Sequence, residues 1–436
     1  MSSAELATLA CCDLGGIVRG RSLFASELGR KLNRGVSWVP ANHSLTPGGG
    51  LAEPNPFGPL GDLRLLPDRG TRVRVKAHGE ASALELTLCD IVQTDGTPWE
   101  CCPRRFLREG LEQLGQAGVR LVASFEHEFQ LVSEREPGLP FSFEAQRRAE
   151  PFAAEVMGAL LEAGVQPERF FAEYAPHQFE VPVQPAAGMA AADRSVIFKE
   201  VVREVARRQG LRASFAPLLD LDTAGNGVHI HLNLLDDADQ PLLYDAARPG
   251  RLSELGGRFA AGVLRHAGAL SALTAPSPAS AARLQPHRWS AGAVCLGLQN
   301  RETLLRIPPL VTLDGADPGP QLHLEFRGAD ATANPYLALG AIVRAGLAGL
   351  DGQLPAPEIL QSDPASLSGE EAQRFGVGAW PASLADSLRA LADDEAARGW
   401  LGPLLYEAYV GVKRAELAAV ADLDAGEVCR RYGEIY

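Results

Sequence analysis

Leu121-Val122-Ala123-Ser124-Phe125-Glu126-His127-Glu128-Phe129-Gln130-Leu131-Val132 reads as a β-strand with two carboxylates at its middle. Residues two apart on a strand share a face. Glu126 and Glu128 therefore project together from an apolar run. Like charges so placed repel unless a cation or a base lies between them. The pair is a metal-site candidate. Taken alone, it reads equally as a charged pair on a solvent-facing strand edge.

Other segments repeat the anomaly. Phe170 to Val181 is strand-like and carries Glu173 and Glu180 in an aromatic setting. Gly225-Asn226-Gly227-Val228-His229-Ile230-His231-Leu232-Asn233-Leu234 alternates from Val228 onward, with His229, His231 and Asn233 on one face. Leu322-His323-Leu324-Glu325-Phe326-Arg327 aligns His323, Glu325 and Arg327. Five glutamates and one imidazole on apolar-backed strands, with no thiolate, suit Mg²⁺ or Mn²⁺. Such ions keep water and phosphate in their shell, which points to nucleotide chemistry. Arg283, Arg301, Arg306 and Arg327 lie among apolar or small residues. Singly they read as surface ion pairs, but beside a carboxylate set they suit an anion site. No P-loop or Rossmann glycine motif occurs.

The bulk composition bounds the rest. The chain has 436 residues, 46% hydrophobic and 22% charged, enough for two or three domains with ample core. A formal net charge of -13 argues against nucleic-acid or anionic-membrane partners. No apolar run has the length of a membrane span, and the start lacks a signal-peptide pattern. Seven cysteines without a Cys-x-x-Cys spacing read as reduced packing thiols in a cytoplasm. Strand-like pieces dominate up to Asp95-Gly96-Thr97-Pro98, a turn and linker. Helical spacing is expected over 103–118, 151–164, 191–210, 334–350, 381–397 and 402–420. The fold class expected is α+β, with a β-rich front domain at 1–97 and a larger domain at 98–436.

In this order the motifs resemble the glutamine synthetase family, and the resemblance covers nearly the whole chain. Asp13 to Gly20 is similar to the family's front strand pair. Glu126-His127-Glu128, Glu173 to Glu180, and Gly225 to His231 are similar to its carboxylate and histidine motifs. Asn300-Arg301 with Arg306-Ile307-Pro308, and Glu325-Phe326-Arg327 followed by Asn334-Pro335-Tyr336, are similar to its closing blocks. The resemblance implies an N-terminal β-grasp domain and a catalytic domain built on a curved antiparallel sheet with flanking helices. It implies that Glu128, Glu173 and Glu180 hold a metal facing the amino acid, and that Glu126, His229 and Glu325 hold one facing ATP. Arg301 and Arg306 would clamp phosphoryl oxygens. Arg283 and Arg327 would grip glutamate, with Gly225 in the same pocket. His231, Asn233, Arg306 and His323 would lie against the nucleotide. The implied reaction activates glutamate as γ-glutamyl phosphate and displaces phosphate with a nitrogen nucleophile. A homo-oligomer of stacked hexameric rings is implied as well.

Departures fall on the nitrogen substrate. Trp289 stands where the family has an acidic flap residue, and Ser37 to Ser44 has no carboxylate where the family has an Asp. Ammonium needs carboxylates to attract it and a base to free its lone pair. A tryptophan instead covers an alkyl chain or faces a cation, or simply packs the flap. An organic amine is therefore expected in place of ammonia. Ammonia itself and a non-catalytic binding protein are the competing readings. Ala224 stands where an Asn helps bind glutamate, and His323 where an arginine approaches phosphate.

Overall fold

Strand-forming alternation builds two sheets in the computed structural model, which describes residues 5–76, 79, 81–285, 288 and 290–436. The first sheet uses β1 (Leu6–Cys12), β2 (Val18–Phe24), β3 (Val36–Trp38), β4 (Leu63–Pro67), β5 (Val73–Val75) and β6 (Leu84–Gln93). Its order is β2-β1-β6-β4-β3, with β5 also on β6. β1 and β6 run parallel at its centre, and the remaining pairs are antiparallel.

The second sheet has eleven strands. They are β7 (Arg120–Val132), β8 (Phe171–Ala172), β9 (Gln178–Val181), β10 (Ala186–Ala187), β11 (Arg212–Ser214), β12 (Val228–Leu235), β13 (Ala293–Leu298), β14 (Thr303–Ile307), β15 (Leu324–Ala329), β16 (Ile359–Leu360) and β17 (Gly378–Ala379). The main path is β16-β13-β14-β15-β12-β7-β9-β8. The sheet is mixed: β13 runs parallel to both β14 and β16. The expected antiparallel sheet is corrected at that end. Strand direction there depends on how 299–302 returns, which side-chain alternation does not encode.

One face of this sheet is apolar and packed. Phe125, Phe129, Val228, Ile230 and Leu232 are buried there. The helix Gly188–Arg208 covers it with Val196, Phe198, Val201 and Val205. Each such side chain contributes roughly 1.5–3 kcal/mol on burial. His127 belongs to this face. It stacks on Phe198 at 5.0 Å and meets Ser195 Oγ at 2.8 Å. The opposite face is left to Glu126 and Glu128, as the period of two requires.

Two tethers seat the first sheet on the second unit. Asn334 caps the helix Pro335–Asp351 by accepting from the Tyr336 and Leu337 N–H groups, and donates to Cys12 and Asp13 carbonyls. Buried Arg104 reaches Asp68 and Asp90 of the first unit and Asp193 of the helix Gly188–Arg208. Gly16 has φ +78°, and a Cβ there would lie 2.4 Å from the Thr332 carbonyl, so glycine alone fits.

Two expectations change in detail. Phe170–Val181 is not one strand. β8 and β9 flank a turn in which His177 takes φ +54°, so Glu173 and Glu180 stand on either side of it. The helix expected over 381–397 ends at Asp393, and the helical stretch Glu395–Ala419 that follows is broken at Gly402 (φ +70°), where the next helix was expected to begin. Asp394 between them is non-helical and caps the Ala397 N–H. All seven cysteines are buried free thiols. Among the described residues no helix is long and apolar enough to cross a membrane.

Candidate active site

β7 sits between β12 and β9, and its register sets the site. His229 is directly opposite Glu126, and Glu180 is directly opposite Glu128. β15 brings Glu325 opposite His231, and β14 brings Arg306 opposite Glu325. These strands floor a cavity of about 1400 Å³. Glu126, Glu128, Glu173, Glu180, His229, His231 and Glu325 line it, with Gly225, Arg283, Arg301, Arg306 and Arg327. Asn233 and His323 are not among its lining residues. Asn233 donates to the Pro320 carbonyl, while His323 contacts the Gln321 carbonyl and lies 5.0 Å from the His231 ring. Trp289 lies outside the described residues.

The cavity is electrostatically divided. On one side Glu325 is paired with Arg306 at 2.6 Å and with Arg327. Burial alone would raise its carboxyl, but Arg327, His229, His231 and Arg306 pull it down to about 2. Glu126 likewise falls well below the usual range, since His229, hydrogen-bonded to it, and His231, 3.4 Å away, outweigh burial. Arg301 loses basicity, first from burial and then from Arg306 and Arg327 beside it. An anion would relieve that crowding.

On the other side the crowding is negative. Burial, then Glu126, Glu128, Glu173 and Glu325, hold the Glu180 carboxyl well above its ordinary range. Burial and then Glu128 push Glu173 up to about 7. A divalent cation fits this donor set, because it would supply the positive charge that these oxygens lack. Glu128, Glu173 and Glu180 would hold one such ion, and Glu126, His229 and Glu325 a second. Among the described residues no three acidic, imidazole or thiol groups already form a ligand cluster. Their side chains are turned to protein partners instead: His229 Nδ1 to Glu126 at 3.0 Å, Glu325 to its arginines, Glu128 to Gln178 at 3.0 Å.

Gly225 is fixed by close approach. A Cβ there would lie 2.1 Å from the Pro217 carbonyl and 2.8 Å from Arg283 Cγ. Arg283 is buried, and its Nη2 donates to the Ala329 carbonyl at 2.7 Å. Gln178 is a site residue that motif reading missed. Its amide donates to Glu128, to the Gly225 carbonyl and to Asn226, fastening three motifs at one point. The signal was available, since Gln178 is two residues from Glu180 on β9 and shares its face. Arg288 was also missed; it lines the cavity and donates to the Leu221 and Thr223 carbonyls.

Comparison with known proteins places this architecture. The model of the glutamine synthetase catalytic domain matches residues 100–427, and that of the glutamine synthetase N-terminal domain matches residues 1–99. The chain belongs to the glutamine synthetase family. It is thereby an enzyme of the ATP-dependent carbon–nitrogen ligase type. The chain is similar to the gamma-glutamylpolyamine synthetase GlnA3 of Streptomyces coelicolor, at 35% identity over 97% of this chain and 92% of that protein. It is similar to the glutamine synthetase of Methanocaldococcus jannaschii, at 32% identity over 84% of this chain and 82% of that one. Among solved structures, a novel glutamine synthase homolog superposes with a TM-score of 0.93 and 46% identity, covering 100% of this chain and 99% of that chain. Ligand-free GmaS superposes with a TM-score of 0.81 and 27% identity, over 97% and 94%.

Proposed function

We propose that this family member joins the γ-carboxylate of glutamate to an organic amine, using ATP and passing through γ-glutamyl phosphate. The meeting of Arg283, Arg301, Arg306 and Arg327 with five glutamates and His229 in one cavity carries the reading. Arg283 and Arg327 would hold the amino acid's carboxylates, with Gly225 shaping the pocket beside Arg283. Arg301 and Arg306 would take the charge that builds on the transferring phosphoryl oxygens, where fixed donors act most strongly. His231 and Asn233 would lie toward the nucleotide, with His323 5.0 Å from the His231 ring. Bound Mg²⁺ or Mn²⁺ would neutralise phosphate charge and polarise the phosphoryl group. The glutamate carboxylate attacks the γ-phosphorus and ADP departs. The amine nitrogen then attacks the acyl carbon, phosphate leaves, and one proton is lost from nitrogen.

Support for an amine over ammonia comes from Trp289, from the carboxylate-free Ser37–Ser44 segment, and from the relative named for polyamines. The relatives named as glutamine synthetases support ammonia as the second reading. We assign domains at 1–97 and 98–436 and a ring-shaped homo-oligomer as part of the same proposal. The deciding assay measures phosphate release with ATP, Mg²⁺ or Mn²⁺ and glutamate, against ammonium and a panel of mono-, di- and polyamines. Amine turnover at low millimolar concentration with weak ammonium turnover is expected. The reverse order would overturn the reading. Nucleotide binding without turnover of any nitrogen substrate would favour a non-catalytic protein.

A further inference from the structure

At the carboxylate end of the cavity the wall becomes aromatic. Phe141 and Tyr174 line it beside Glu173, Glu180 and Phe171. Both are large rings left 50% and 53% exposed, and their centroids are 6.5 Å apart. No lysine lines the cavity among the described residues. Arg169 is the cation at this end, and it is paired with Glu168 at 3.6 Å.

The backbone under this pair is unusual. Phe141 takes φ +56°, a left-handed conformation that a bulky side chain rarely adopts. His177, in the turn that carries Tyr174, takes φ +54°. Its Nε2 meets the Arg135 carbonyl at 2.8 Å, which ties that turn to the segment leading to Phe141. Directly after Phe141, the Ser142 hydroxyl accepts from the Ala145 N–H and fixes the start of the helix Phe143–Arg148. Strain of this kind persists where the surroundings enforce it, and it clusters at ligand clamps. Here it holds two half-exposed rings in the lining of the cavity.

We propose that Phe141 and Tyr174 form a subsite for the distal ammonium of a diamine or polyamine. The inference rests on the amine-ligase reading above and names the amine class. The nitrogen that attacks must be neutral. The other nitrogens of a polyamine stay protonated and need a surface that attracts cations. Glu173 and Glu180 are assigned to the metal. Aromatic faces attract an alkylammonium without demanding full desolvation, and their edges cover its methylenes. Ammonium has no atoms that could reach them. The chain's net charge of -13 favours a polycation at long range as well.

The test compares wild type with Phe141→Ala, Tyr174→Ala and the double variant, using phosphate release with putrescine, spermidine, a monoamine of equal length and ammonium. Each single variant is expected to raise KM for the di- and polyamines about 3- to 10-fold, and the double variant more, with kcat and the KM for ATP nearly unchanged. Tyr174→Phe should retain wild-type KM. The monoamine should respond less than the diamine of equal length. An unchanged polyamine KM in the double variant would overturn the subsite while leaving the ligase reading intact. Equal losses on ammonium and polyamine, or a fall in kcat alone, would also overturn it, since the rings would then be structural. Absence of wild-type turnover with every amine removes the parent reading instead.

Discussion

Glu180 and Glu325 sit on one sheet, separated by β7 and β12, and both are almost fully buried. Their surroundings are opposite. Glu325 lies against Arg306, Arg327 and His229, and its carboxyl is held near 2. Glu180 faces Glu126, Glu128 and Glu173, and its carboxyl is driven upward. The same side chain is thus satisfied by protein in one half of the cavity and frustrated in the other. The difference separates what the fold completes by itself from what it leaves for a cation to complete. A buried charge without a partner is costly, so the frustrated half marks the place where a ligand's charge contributes most.

The sharpest way to break this contrast is Glu325→Gln. It should destabilise the fold by about 3–5 kcal/mol, because Arg306 and Arg327 would keep buried charge without their carboxylate. Chemical denaturation checks it; a loss under 1 kcal/mol would mean the pair is solvated. Arg306→Ala should follow, lowering kcat by about 10²–10³-fold, the scale for removing one fixed donor from a charge-building centre. Single-turnover kinetics with saturating ATP would show that loss in the chemical step. Addition of Mn²⁺ or Mg²⁺ at about 100 times its Kd should then stabilise the protein by about 2.7 kcal/mol. Thermal melting should show this shift in wild type and a smaller one in Glu180→Gln, which keeps the site of Glu126, His229 and Glu325. The smallest effect is that of Glu180→Gln without divalent ions. Removing one of several crowded carboxylates should leave stability unchanged or raise it by about 1 kcal/mol. If Glu180→Gln and Glu325→Gln destabilise equally, the two halves of the cavity do not differ as described.

Much of the site was legible because strand periodicity is strict. The alternation along Val228–Leu234 put His229 and His231 on one face, and both line the cavity. Asn233 and His323 obey the same alternation yet fall outside the lining, because a shared face says nothing about where a cavity ends. The segment Phe170–Val181 misled for a different reason. Its aromatic residues at Phe170, Phe171, Tyr174 and Phe179 suggest a strand, but the chain turns at Ala175-Pro176-His177 between two short ones. The face of Gln178 was legible from its spacing to Glu180, but its role was not, since a neutral amide shows its use only when its three acceptors are placed around it. The aromatic lining at Phe141 was illegible too, since φ +56° at a phenylalanine has no sequence signature.

By itself the sequence determined the pairing of Glu126 with Glu128, the order of the carboxylate, histidine and arginine motifs, and through them the family. These follow from a period of two and from motif spacing, which are local properties of the chain. Only the tertiary structure decided which glutamate is satisfied and which is left crowded. That depends on charges brought together from β7, β9, β14 and β15, and Coulomb energy is set by distance in space rather than along the chain.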